Sequence, residues 1–201
     1  MGITIINPRT FAPHRVRIMR DKLGSAIIGQ TFGVDSPSNV SGGAALSDAQ
    51  QVTTAVEAFY DESCTGIKWY QSTQGNFTGD QFNGFALYSI SAGTLTQIAI
   101  TTNDANHWKN AQGWVTTPWV TPADVEAAEL YFVALLYNQS AATTPPSIGN
   151  SAVGISGSVV ADFSNSVKLN STWGARTTLA SSIAMTSLTQ STLRPYFMLY
   201  N

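Results

Sequence analysis

The chain predicts an all-β fold: a jelly-roll-like antiparallel β-sandwich preceded by an extended N-terminal arm. Three observations carry that expectation. Residues 84–101 (GFALYSISAGTLTQIAIT) read as a β-hairpin, with two runs of aromatic, β-branched and hydroxyl residues flanking Ser91-Ala92-Gly93. Similar short runs recur from Leu46 onward, separated by polar loops rich in Gly and Pro. Helical periodicity is sparse. Many short strands with long polar connections are the pattern of sandwiches and jelly rolls.

Within the hairpin, Thr96, Ile98 and Ile100 alternate with Leu95, Gln97 and Ala99, the period-two signature of a strand. A three-residue loop ending in Gly93 suits a turn in which Gly takes φ > 0 and forms a bulge. Residues 1–43 are expected to form a docking arm and linker, and residues 44–201 the sandwich domain. Pro8 and Pro13 start the arm as extended chain. Residues 16–23 suit a short helix or strand. Residues 24–43, with Gly29, Gly33, Pro37, Gly42 and Gly43, read as irregular connection. Strands are expected at residues 52–60, 66–71 and 113–120, the last interrupted by Pro118, which argues for an edge or a bulge. Thr121-Pro122-Ala123-Asp124 has an N-cap Thr, Pro at N1 and an acid at N3, and predicts one helical turn. Residues 130–137 (LYFVALLY) are apolar on both faces and should be the most buried strand. Residues 138–151 read as a loop stiffened by Pro145-Pro146. Weaker strand signals lie at 155–160 and 167–169, and residues 193–200 (LRPYFMLY) form a terminal strand.

Only 11% of the 201 residues are charged, while Ser and Thr together number 44. Such a chain relies on hydroxyls, amides and glycines for solubility, as virion surface proteins and secreted lectin-like domains often do, and unlike most metabolic enzymes. Charge is unevenly placed. Residues 1–22 carry Arg9, Arg15, Arg17, Arg20 and Lys22 against Asp21 alone, a net +4. Residues 23–201 carry five basic and eleven acidic groups. The arm also holds Phe11, Ile18 and Phe32 among many apolar groups, too many for a solvated tail. It is therefore expected to dock on a partner subunit, through Phe11, Arg15, Arg17, Ile18 and Phe32. Five cations without interleaved aromatics argue against nucleic acid as that partner. The longest apolar run, residues 130–137, is far short of the roughly 20 residues that span a bilayer, so no membrane insertion is expected. The start, MGITIINPRTF, lacks a signal-peptide pattern, which points to synthesis in a host cytoplasm.

No catalytic, metal or cofactor motif stands out, and none is expected. Cys64 is the single cysteine and has no partner for a disulfide or zinc site; it reads as a small half-buried residue near a turn. Ser156 sits in Gly-Ile-Ser-Gly-Ser, which misses the nucleophile-elbow pattern at its last position. Asp61-Glu62 and the Glu126/Glu129 pair resemble a glycosidase carboxylate pair but read better as solvated surface. What remains is recognition. Five tryptophans are many for this length, and aromatic rings anchor interfaces and stack on sugars. Asn106, His107 and Trp108 lie in a polar loop whose groups suit a glycan. The competing reading has Trp108 capping the sandwich core, since Trp is mostly buried.

Residues 51–201 resemble a β-sandwich module of tailed-bacteriophage virion proteins, of tail-fibre or head-decoration type. The resemblance lies in segment order: the hairpin GFALYSISAGTLTQIA, the Trp-rich GWVTTPWV, then AELYFVALLYNQSAATTPPSIG and the terminal LRPYFMLYN. Glu126-Ala127-Ala128-Glu129 stands where related modules often have a Pro-Gly turn. The resemblance implies a virion structural protein, located in the virion, contacting other virion subunits and forming homo-oligomers, for which a trimer is expected. Together with the arm, it gives the leading expectation of a non-enzymatic tail-fibre or receptor-binding component attaching to a host-surface glycan. The alternatives are a capsid or tail decoration protein without receptor role, or a free-standing carbohydrate-binding module.

Overall fold

The structure, a computed structural model, describes residues 27–31, 40–151, 170–191 and 193–201. The strands are β1 (Ile27–Thr31), β2 (Val40–Ala45), β3 (Gln50–Ala58), β4 (Glu62–Thr73), β5 (Asn76–Gly79), β6 (Gly84–Ser91), β7 (Thr94–Ile100), β8 (Gly113–Val125), β9 (Leu130–Tyr137), β10 (Gln139–Thr144), β11 (Ser147–Ser151), β12 (Asn170–Trp173), β13 (Ser182–Ala184), β14 (Thr189–Gln190) and β15 (Phe197–Tyr200). One antiparallel sheet runs in the order β13-β7-β6-β9-β3-β1-β15-β4-β11-β2, with β12 pairing both β3 and β14, and β8 pairing β4. β5 and β10 pair as a separate ribbon. The protein is thus all-β, as expected. The strand order defines an antiparallel sandwich without singling out jelly-roll connectivity.

The sheet folds over on itself, so that β4, β8 and β15 face β3, β6 and β9 across the interior. Ring contacts between strands that are not hydrogen-bonded neighbours record this. Trp69 of β4 lies 5.3 Å from Phe85 of β6, and Phe85 lies 6.0 Å from Phe197 of β15, between centroids. Alternation along each strand explains the packing. On β4, Ile67 and Trp69 enter the core while Lys68 and Tyr70 point away and are only half-buried. β9 has no polar face because it has no solvent face. Tyr131, Val133, Leu135 and Tyr137 fill the inner core, and Phe132, Ala134 and Leu136 meet a second core closed by Leu179, Ile183, Met185 and Leu188. Each such buried side chain contributes about 1.5–3 kcal/mol relative to exposure.

Four local expectations are corrected. The hairpin loop has two residues, not three: Ser91 pairs with Thr94, and Ala92 and Gly93 take φ of 47° and 76°. That is the sign pattern of a type I′ turn, whose twist matches the flanking strands. The bulge falls instead between Leu87 and Tyr88, opposite Ile98. The helical turn at Thr121 does not form. Residues 121–125 continue β8, where Ala123 and Val125 pair with Cys64 and Glu62 and are buried, so tertiary pairing overrides the capping signal. Residues 138–151 form β10 and β11 rather than a loop, because β5, β2 and β4 offer them backbone partners. Parts of residues 24–43 are sheet, not linker: β1 lies between β3 and β15, and β2 pairs with β11. The sheet therefore starts before residue 44. The strand signals at 155–160 and 167–169 lie outside the described residues.

Candidate functional site

Asn106, His107 and Trp108 sit together on a 3-10 turn, Ala105–Lys109, that follows β7. Asp104 caps it, its Oδ1 accepting from the Asn106 N–H at 2.8 Å. Asn110 Nδ2 donates to the His107 carbonyl at 2.7 Å, and His107 Nε2 lies 3.1 Å from the Thr102 carbonyl. Asn106 is exposed and His107 half-buried, but Trp108 is fully buried. Its ring lies 5.3 Å from Trp69 and 4.8 Å from Phe85. Of the two readings of Trp108, the core-capping one holds and the sugar-facing ring is corrected: the turn drives the indole inward as a plug. Its carbonyl is fixed as well, accepting from the Gly75 N–H at 2.9 Å and from Gln71 Nε2 at 3.1 Å. Its indole N–H has no partner and is shut off from solvent.

Other chemistry-bearing groups are structural. Cys64 is fully rather than half buried. Its thiol donates to the Gly66 carbonyl at 3.4 Å, and its sulfur accepts from Trp119 Nε1 at 3.3 Å. Burial pushes the thiol pKa up, against those hydrogen bonds, which is the opposite of an activated nucleophile. Asp61, Glu62, Asp124 and Glu126 line a surface depression of about 690 Å³. Two of these carboxylates hold backbone and side chain in place. Asp61 Oδ1 accepts from the Ala127 N–H at 2.7 Å, and Glu62 Oε2 from Asn201 Nδ2 at 2.8 Å. The Ala128 N–H completes the turn by donating to the Ala58 carbonyl at 2.8 Å. Among the described residues, no group of three or more His, Cys, Asp or Glu side chains is placed to hold a metal ion.

A site that the sequence reading missed lies on the outer face of β4, β8 and β15. The register sets Tyr70 opposite Trp114, and Lys68 opposite both Thr116 on β8 and Met198 on β15. Trp114 keeps 39% of its surface and is one of two exposed large hydrophobics among the described residues; the other, Val120, is on the same strand. Tyr70 and Tyr196 meet the indole edge-on, at 5.4 Å and 5.9 Å, so neither lies flat on it. Lys68 Nζ stands 5.9 Å from the ring centroid, the outer limit of a cation–π contact. Trp119, five residues on, has the opposite parity and is buried. That parity is the signal that separates the exposed Trp from the core Trp, but it is readable only once the inner face of β8 is known.

β8 is an edge strand, pairing only with β4 among the described residues, and its register shifts just beyond Pro118. No helix among the described residues is long and apolar enough to cross a membrane. Phe11, Arg15, Arg17, Ile18 and Phe32 lie outside the described residues. Compared with protein-family models, with curated proteins and with solved structures, the chain matches none.

Proposed function

We propose that this protein is a structural subunit of a phage-type virion, anchored by its basic N-terminal arm, with the β-sandwich turned outward for attachment to a host surface. The observation that carries the reading is the filled interior. Trp69, Trp108, Phe85 and Phe197 pack ring against ring inside the sandwich, which leaves Trp114 on the outside of the sheet as the aromatic group open to a ligand. A Ser/Thr-rich, charge-poor composition and the resemblance of segment order to virion modules support the same reading. The test is to purify particles from cells producing the protein, locate it by immunogold electron microscopy, and measure adsorption with and without it. Surface labelling together with loss of adsorption in its absence is the expected result. Labelled particles that adsorb normally without the protein make it a decoration subunit. Unlabelled particles refute the proposal.

A further inference from the structure

We propose that the outer face of β4 and β8 is a platform for an acidic saccharide, with the Trp114 indole as the stacking surface and Lys68 as the partner of the sugar carboxylate. The inference rests on the attachment reading above and names the ligand class and the residues that take it. Three observations select this occupant. The open apolar area is one partly exposed indole flanked by Tyr70. That is the footprint of a sugar ring or two, well below the roughly 800 Å² per partner of a stable protein interface. The apolar neighbours Tyr196 and Met198 are buried, and the exposed rim is polar, with Thr116 exposed beside Lys68, so a ligand with one apolar face and a polar rim is matched, as a pyranose is. The charged group of the cluster is Lys68, whose ammonium has no ion-pair partner among the described residues. A uronate or similar acidic sugar supplies the missing carboxylate.

The site is built on alternate rungs of paired strands, which share one face, and not on a loop, so Trp114, Tyr70, Lys68 and Thr116 are held in fixed relation by backbone hydrogen bonds. A single platform of this size binds weakly, with Kd on the order of 1 mM. Presentation of several copies on one particle would raise the effective affinity by avidity.

The experiment is saturation-transfer NMR and fluorescence titration of the full chain with tri-galacturonate and with neutral maltotriose, comparing wild type, Trp114→Ala and Lys68→Gln. Wild type is expected to bind tri-galacturonate more tightly than maltotriose, and less so at high salt. Trp114→Ala should lose about tenfold or more for both sugars, as expected for a stacking surface. Lys68→Gln, which keeps the ring, should lose about two- to fivefold for tri-galacturonate alone, the scale of an exposed ion pair. Undiminished binding by Trp114→Ala overturns the proposal, and so does wild type that binds neither sugar at about 10 mM, a decade above the expected Kd. Particles carrying Trp114→Ala separate the two readings. Normal adsorption with these particles rejects the platform and leaves the virion role intact. Sugar binding by a protein that is missing from particles does the reverse.

Discussion

Replacing Trp108 by alanine tests whether this residue belongs to the core or to a ligand. The indole is fully buried and packed on Trp69 and Phe85. Truncating a buried Trp to Ala costs about 3–5 kcal/mol, because the transfer free energy is lost and a cavity remains. Each of the two ring contacts accounts for about 0.5–1.5 kcal/mol of that sum. No side-chain hydrogen bond is lost, since the indole N–H has no partner. Trp108→Phe should therefore cost far less than Trp108→Ala, about 1–2 kcal/mol, because it keeps an aromatic ring and removes an unsatisfied donor. For a chain of this size each kcal/mol moves the melting temperature by about 2–4 °C, so the alanine variant should melt roughly 6–20 °C below wild type. Thermal melting and urea titration, both followed by circular dichroism, measure the two variants. An alanine variant that melts with wild type would refute the packing account.

Three further outcomes follow from the geometry. Val133→Asp places a carboxylate in the middle of β9, at a position with no exposure; it should cost about 5 kcal/mol or more, a large part of a typical domain's stability, and yield insoluble protein on expression. Ala92→Asn should stabilise by about 1 kcal/mol, since Ala92 holds a left-handed φ of 47° that costs an ordinary L-residue about 1–2 kcal/mol and Asn less; a rise in melting temperature checks it. Burial pushes the Tyr137 hydroxyl up to about 12 and raises Tyr88 and Tyr196 as well. Above about pH 10 the unfolded tyrosines ionise while the folded ones keep their protons, so the unfolded state binds fewer protons and stability falls. The urea midpoint should begin to fall above about pH 9, where the buried Cys64 thiol keeps its proton, and fall more steeply from pH 10 toward 12, in step with a delayed phenolate absorbance.

What could be read from sequence was what repeats along the chain. β9 announced itself because both of its faces are apolar, and a strand between two cores needs that. Pro118 marked β8 as an edge because a missing N–H is cheapest where no partner waits. β10 stayed hidden for the converse reason. Its Ser140, Ala141, Ala142 and Thr143 are exposed, so no alternation betrays a strand whose stability comes from pairing with β5. The Thr121 cap was a sound local signal defeated by a neighbour 60 residues away in sequence, Asp61 and Glu62 with the start of β4. At the candidate site the residue types were legible but their facing was not. Trp108 stands on a turn too short to have a period, and Trp114 and Trp119 differ only in parity.

The central seam of the sheet joins strands from opposite ends of the described chain. β1 and β15 pair with each other between β3 and β4, and the Phe197 N–H donates to Thr31 Oγ1 across 166 residues of sequence. The two halves of the sandwich are thus bridged by the last of the described strands in chain order. Until Phe197–Tyr200 has left the ribosome, β1 and β4 each expose an unfilled edge, and the nascent chain cannot close its core. Folding must then wait for this strand and be slow, as long-range β pairing is. The waiting intermediate, with open edges and little charge to keep copies apart, is the form most prone to associate wrongly. Yield in a cell should depend more on how crowded these unfinished chains are than on how stable the finished one is.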